Sequence, residues 1–148
     1  VPVAGGPNGR LALSTAIALA RNTSESTIVT LMNVAVDGID SSDAEARAQN
    51  AFRRATEGLE YQYIETRVVS AQSPLDGILK SSRDADMVVV GATQERIFRN
   101  LLIGNVAERV ADQAKCPVLI VKRRSTILES MLRETVLPAL QHSPKLSQ

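Results

Sequence analysis

A chain of 148 residues with 44% hydrophobic and 22% charged side chains has the make-up of one globular domain with one core, which excludes a disordered chain. A formal net charge of +1 and an aromatic content of 3% supply neither the basic field nor the stacking surface of a nucleic-acid binder, so no nucleic acid is expected as a partner. The single cysteine, Cys116, excludes an internal disulfide framework and fits a reducing compartment. No stretch approaches the roughly 18 apolar residues of a membrane-crossing helix, and no basic region followed by an apolar run marks a signal peptide. The expected location is cytoplasmic, with no direct membrane insertion.

Residues 1–4 are short and apolar and read as the end of a first strand, as at a domain edge in a longer polypeptide or in a processed chain. Gly5-Gly6-Pro7-Asn8-Gly9 is a turn signal. A helix is predicted from about residue 8 to residue 21, because Leu13, Ala16, Ile17 and Ala20 recur at helical spacing; Asn22-Thr23-Ser24 breaks it. Residues 28–34 are rich in β-branched side chains and predict a second, buried strand. A polar loop over 37–42 leads to a helix over 43–57, ended by Gly58. Residues 61–69 alternate, with Tyr61, Tyr63 and Glu65 on one face and Ile64 on the other, which predicts a half-exposed edge strand.

Ser73-Pro74 has the form of an N-cap followed by proline at the first helical position, with Leu75, Ile78 and Leu79 facing inward. Met87-Val88-Val89-Val90-Gly91 is a continuous apolar run, as in a strand covered on both faces. A long polar loop over 92–103 precedes a helix that starts at Gly104-Asn105 and turns Val106, Val110 and Ala114 inward. Cys116-Pro117 ends that helix, and Val118-Leu119-Ile120-Val121 is the last strand.

Strands alternating with helices predict an α/β fold: a doubly wound, five-stranded parallel sheet in three α/β/α layers. The expected strand order is 3-2-1-4-5, since the third strand reads as an edge and the first and fourth as central. This domain covers residues 1–123. Ile127, Leu128, Met131, Leu132, Thr135 and Val136 form an apolar stripe before Pro138, which predicts a helical extension over 124–141 and a flexible polar tail over 142–148. The stripe packs on the domain, on a partner copy or on a neighbouring segment.

In an open α/β sheet, ligands bind beyond the carboxyl ends of the strands where the strand order reverses. Here that point lies between the first and fourth strands, where loops 4–8 and 91–104 meet and lead into helix N-termini suited to phosphate. Glycines at these places serve equally well as plain tight turns.

Val1-Pro2-Val3 with its Gly-Pro turn and helix, Val88-Val89-Val90-Gly91, the long loop, Gly104, and Cys116-Pro117-Val118-Leu119-Ile120-Val121 together resemble the universal stress protein family over about residues 1–123. The family's phosphate motif is glycine, two residues, glycine, nine residues, then glycine with serine or threonine. Gly91 and Gly104 match its first and third positions with the spacing kept; Gln94 replaces the second glycine, Asn105 the hydroxyl residue, and Ala4 the family's aspartate after the opening Val-Pro-Val. The resemblance implies an adenine nucleotide (ATP, ADP or AMP, with Mg²⁺ only beside a triphosphate). The implied contacts are Pro2, Val3, Ala4, Val34, Val90, Gly91, Gln94, Gly104, Asn105, Val106 and Ala107, with Asn33 and Val34 flanking the adenine side. Arg96 and Arg99 are candidate phosphate contacts or ordinary solvated loop arginines. The resemblance further implies a homodimer paired through the fifth strand, Val118, Leu119, Ile120 and Val121, which would satisfy its free edge. It also permits a fused or partner membrane protein, a transporter or channel that the domain regulates.

No catalytic residue and no metal ligand is assigned. The Ser-Gly-Gly-x-Asp-Ser motif of related ATP pyrophosphatases shares only two glycines with Ala4-Gly5-Gly6-Pro7-Asn8-Gly9, and no P-loop is present. Cys116 reads as a buried small apolar group, His142 as solvated, and Asp84 and Asp86 as loop solvation away from the cleft. The leading reading is a non-enzymatic regulatory or stress-response module. The rivals are an interaction scaffold with a degenerate site and, third, a weak ATP hydrolase, for which no general base is evident.

Overall fold

A helix that starts with proline needs no partner for the missing N–H, and the first helix uses this: α1 (Pro7–Ala20) has Gly6 at its N-cap and buries Ala12, Leu13, Ala16, Ile17 and Ala20. The computed structural model describes residues 1–23, 26–38, 40–92 and 106–123. The expected elements over 124–141 and 142–148, and most of the loop over 92–103, lie outside the described residues.

β1 (Val29–Val36) follows α1. Asp40 then caps α2 (Ser41–Thr56) by accepting from the Ser42 N–H at 2.8 Å. The Ser42 hydroxyl and N–H together hold the Asp40 carboxyl below its usual range. β2 (Ile64–Ala71) precedes α3 (Pro74–Ser81), which the Ser73 hydroxyl caps by accepting from the Asp76 N–H at 3.2 Å. A single 3₁₀ turn, Ser82–Asp84, leads to β3 (Val88–Gly91), and α4 (Val106–Gln113) and β4 (Val118–Val121) complete the described chain.

β1 and β2 pair in parallel from Val29↔Ile64 to Val36↔Ala71, and β3 and β4 from Val88↔Val118 to Gly91↔Val121. Period-two alternation along these strands divides the apolar side chains between two cores. Val29, Leu31 and Val89 pack with α1 and with Ala48 and Phe52 of α2; Met32, Val88 and Val90 pack with Leu75 and Ile78 of α3 and with Ala107 and Val110 of α4. Helices thus cover parallel strands on both faces, which is why β3 is an unbroken apolar run.

The expected first strand is reduced to one parallel bridge, Pro2↔Met32. Val3 N–H donates to the Met32 carbonyl at 2.8 Å, Met32 N–H donates to the Val1 carbonyl at 2.9 Å, and the Val1 amine donates to the Thr30 carbonyl at 2.8 Å. The segment therefore lies parallel beside β1, with the Val1 amine and the Val3 N–H facing it; Pro2, whose missing N–H would point to the other side, does not interrupt this pairing. Among the described residues, no ladder joins residues 1–4 to β3.

Two local expectations are corrected. The strand predicted from Tyr61 starts at Ile64. Tyr61 is instead half-buried, its hydroxyl donates to the Thr27 carbonyl at 2.6 Å, and its ring meets Tyr63 edge to face at 5.8 Å. Cys116, expected to be buried, is half-buried, because it sits in the short connection from α4 to β4 rather than inside an element.

The seating of α3 on β1 depends on a missing side chain. A Cβ built on Gly77 would lie 2.7 and 2.8 Å from the two Val34 methyls. In an open helix, Gly→Ala stabilises by about 1 kcal/mol. Here, overpacking should reverse the sign, so Gly77→Ala is expected to cost roughly 1–3 kcal/mol in urea unfolding. In a Val34→Ala background, the same change should become neutral or stabilising; an equal cost in both backgrounds would show that Val34 is not the obstacle.

Candidate functional site

β1 ends next to the turn that begins at Ala4, and α2 then runs back across both. Between them lies a cavity of about 440 Å³, within the size range of small-ligand sites. Its apolar lining is Ala4, Val34 and Ala35 with Ala44 and Ala51 of α2, and Gly5 completes that side. Its polar lining is Asn33, Arg47, Asn50 and Arg54.

The helical period explains why α2 offers both kinds of surface. Ala44, Ala48, Ala51 and Ala55 fall on one ridge, and all four are buried. Arg47, Asn50 and Arg54, spaced i, i+3 and i+7, fall on the flank of that ridge. Alanines where a core helix often carries larger side chains leave space above the end of β1, and the flank supplies its polar rim.

The two asparagines are already oriented. Asn33 Nδ2 donates to the Val3 carbonyl at 2.8 Å, which leaves the side-chain oxygen as its remaining acceptor. Asn50 Oδ1 accepts from Arg53 Nη2 at 2.7 Å, which leaves its NH₂ group as the donor. Among the described residues, no Asp, Glu or His lines the cavity, and no group of three or more His, Cys, Asp or Glu could hold a metal ion. The lining therefore offers Mg²⁺ no carboxylate.

A second feature lies at the start of α1. Asn8 Nδ2 donates to the Ala92 carbonyl at 2.5 Å, and Asn8 Oδ1 accepts from the Arg123 N–H at 3.2 Å. One side chain thereby joins the chain just after β3 to the chain just after β4. The approach requires glycine at position 91, where a Cβ would fall 2.6 Å from the Asn8 carbonyl carbon and 2.9 Å from its Cβ.

The residues singled out from sequence separate into several places. Ala4 and Val34 line the cavity. Pro2 and Val3 belong to the segment beside β1, with Val3 buried. Val90 and Ala107 are 5% and 3% exposed, inside the core between the strands and α3 and α4, and Val106 is half-buried against it. Gly91 backs onto Asn8. Gln94, Arg96, Arg99, Gly104 and Asn105 lie outside the described residues. Along β4, Val118 and Val121 are half-buried, and Leu119 and Ile120 are exposed; among the described residues β4 pairs only with β3. Sequence reasoning overlooked Arg47, Asn50 and Arg54. Their only signal is the i, i+3, i+7 spacing beside an alanine ridge.

The profile of the universal stress protein family matches residues 1–122. Universal stress protein Rv2623 of Mycobacterium tuberculosis is 29% identical over 92 residues, which cover 60% of this chain and 31% of that protein; the chain thus matches about a third of that relative's length. Among solved structures, a universal stress protein in complex with cAMP is 24% identical with a TM-score of 0.59, covering 82% of this chain and 93% of that one. Universal stress protein UspA from Lactobacillus plantarum is 21% identical with a TM-score of 0.62, covering 82% and 94%. No helix among the described residues is long and apolar enough to cross a membrane.

Asn8→Ala removes two hydrogen bonds and leaves the Ala92 carbonyl without this donor, at an expected cost of roughly 1–3 kcal/mol. Asn8→Asp should cost more, since it sets a carboxylate oxygen against the Ala92 carbonyl. Urea unfolding of both variants checks the order; equal stability of Asn8→Asp and the parent would remove Asn8 as the tie.

Proposed function

Because the chain belongs to the universal stress protein family, we propose that its cleft binds an adenine nucleotide and that the domain acts as a non-enzymatic regulatory module. The observation that carries this reading is the cavity at the carboxyl end of β1, lined by Ala4 and Val34, two positions that the family pattern assigns to the nucleotide. The cAMP complex of a structural neighbour supports an adenine nucleotide as the ligand class. Asn33 offers, through its side-chain oxygen, an acceptor beside the position where Ala4 replaces the family's aspartate. A described lining that holds no carboxylate or imidazole favours binding over turnover. It also favours AMP or a cyclic monophosphate; ATP would bring Mg²⁺ on its own phosphates.

The sheet order 3-2-1-4-5 belongs to the same proposal. The β1–β2 pair, the β3–β4 pair and the Pro2↔Met32 bridge supply three of its four adjacencies. The remaining one, residues 1–4 beside β3, would put the reversal of strand order next to Asn8 and the cleft. A homodimer through the outer edge of β4, a cytoplasmic location and a fused or partner membrane protein complete the reading. The exposed Leu119 and Ile120 support the first of these. Ala4 also keeps the second reading open, a protein-binding scaffold whose nucleotide site is degenerate.

Isothermal titration of the 148-residue chain with AMP, ADP and ATP tests the proposal. Saturable binding of at least one is expected. Ala4→Trp, at an exposed rim position, should weaken it by about tenfold or more with the circular dichroism spectrum unchanged. Silence from a folded, ligand-free protein would make the scaffold the better account, and release of phosphate from bound ATP would overturn the non-enzymatic assignment.

A further inference from the structure

Most arginines around α1 and α2 have a structural task. Arg10 donates to the Glu57 carbonyl, Arg21 to the Glu60 carbonyl, and Arg53 to Asn50. Arg47 and Arg54 differ: they border the cavity and make no hydrogen bond or ion pair among the described residues. Among the described residues, no carboxylate lines the cavity to neutralise them. They stand seven residues apart on one flank of α2, about 10.5 Å along the helix axis; both are exposed and border a cavity that Ala44 and Ala51 also line. Asn50 lies between them, with its NH₂ group left as donor.

We propose that α2 is the phosphoryl-binding wall of this cleft, with Arg47 and Arg54 holding the anionic group of the ligand and Asn50 donating between them. The choice of a nucleotide as ligand rests on the function proposed above; the anion site itself does not. The chemistry fits, because guanidinium groups form planar, charge-assisted, bidentate hydrogen bonds to phosphate oxygens. It also gives a chemical reason why this chain can depart from the family's phosphate motif at Gln94 and Asn105: the anion is held by side-chain charge on α2.

The test uses the full chain, with backbone and arginine Nε–H resonances followed by NMR. Inorganic pyrophosphate is titrated first, and then adenosine and AMP, into the parent, Arg47→Gln/Arg54→Gln and Arg47→Lys/Arg54→Lys. Pyrophosphate should shift the Arg47 and Arg54 Nε–H signals and the backbone amides of residues 47–54, and the backbone shifts should vanish in the glutamine variant. The parent should prefer AMP over adenosine by about tenfold or more, a preference that falls with added salt. The glutamine variant should bind both about equally with adenosine affinity unchanged, and the lysine variant should recover part of the preference.

If pyrophosphate instead shifts Gly91, Val106 and Ala107, and the AMP preference survives in the glutamine variant, the proposal is overturned while nucleotide binding stands. If pyrophosphate is held at Arg47 and Arg54 but neither adenosine nor AMP binds, the nucleotide reading fails and the anion site stands for another phosphoryl ligand. If no probe moves any resonance, both fall.

Discussion

The side-chain amide of Asn8 reaches two carbonyl-end segments at once, and the arrangement of the molecule depends on that reach. The two ladders, β1–β2 and β3–β4, share no backbone pairing among the described residues. What brings them together is α1, whose core face packs against residues of both, and whose first turn is pinned by Asn8 to Ala92 and Arg123. The contact exists only because Gly91 lacks a Cβ. A polar tie of this kind contributes modestly when made and costs more when one partner is lost. Its effect is therefore one of position more than of total stability: it sets where α1 begins, and so where the turn before it can run.

The cleft follows from that turn. With α1 held against β3, residues 4 and 5 face α2 across the end of β1. α2 carries alanine on its inner ridge, so it seats closely on the sheet through Ala48, Ala55 and Phe52 while Ala44 and Ala51 leave a hollow. Close packing and an open cavity thus come from the same residue type used at different points along one helix. On the other face of the sheet, Gly77 does the converse: it removes a side chain so that Val34 fits, and Val34 in turn forms part of the cavity floor.

The site is more basic than the chain as a whole. A net charge of +1 over 148 residues says nothing of a cavity whose charged lining, among the described residues, is two arginines. Arg47 and Arg54 are themselves exposed, so their attraction for an anion is open to screening by salt. An anion at the rim and a flat body inside is the combination that the proposed nucleotide ligand would bring.

Local chemistry was legible in the sequence wherever a short segment decides its own conformation. The Ser73-Pro74 cap, the 3.6-residue spacing of α1 and the apolar run of β3 were all readable, because capping, proline geometry and side-chain period act over a few residues. Gly91 could be read as a special position, but not for its contact with Asn8, which lies 83 residues earlier in the chain. Residues 1–4 read as the end of a strand by composition, and the structure holds them beside β1 by a single bridge, Pro2↔Met32. Arg47 and Arg54 were invisible as site residues, because an arginine on a helix reads the same whether its outward side meets solvent or a cavity. The sequence by itself determined the elements, their order and the two-sided burial of the strands, all of which arise from short-range sterics and hydrophobic period. Only the tertiary structure decided the site, since it exists where residues 4–5, 33–35 and 44–54 meet, and their meeting is a property of how the chain crosses itself.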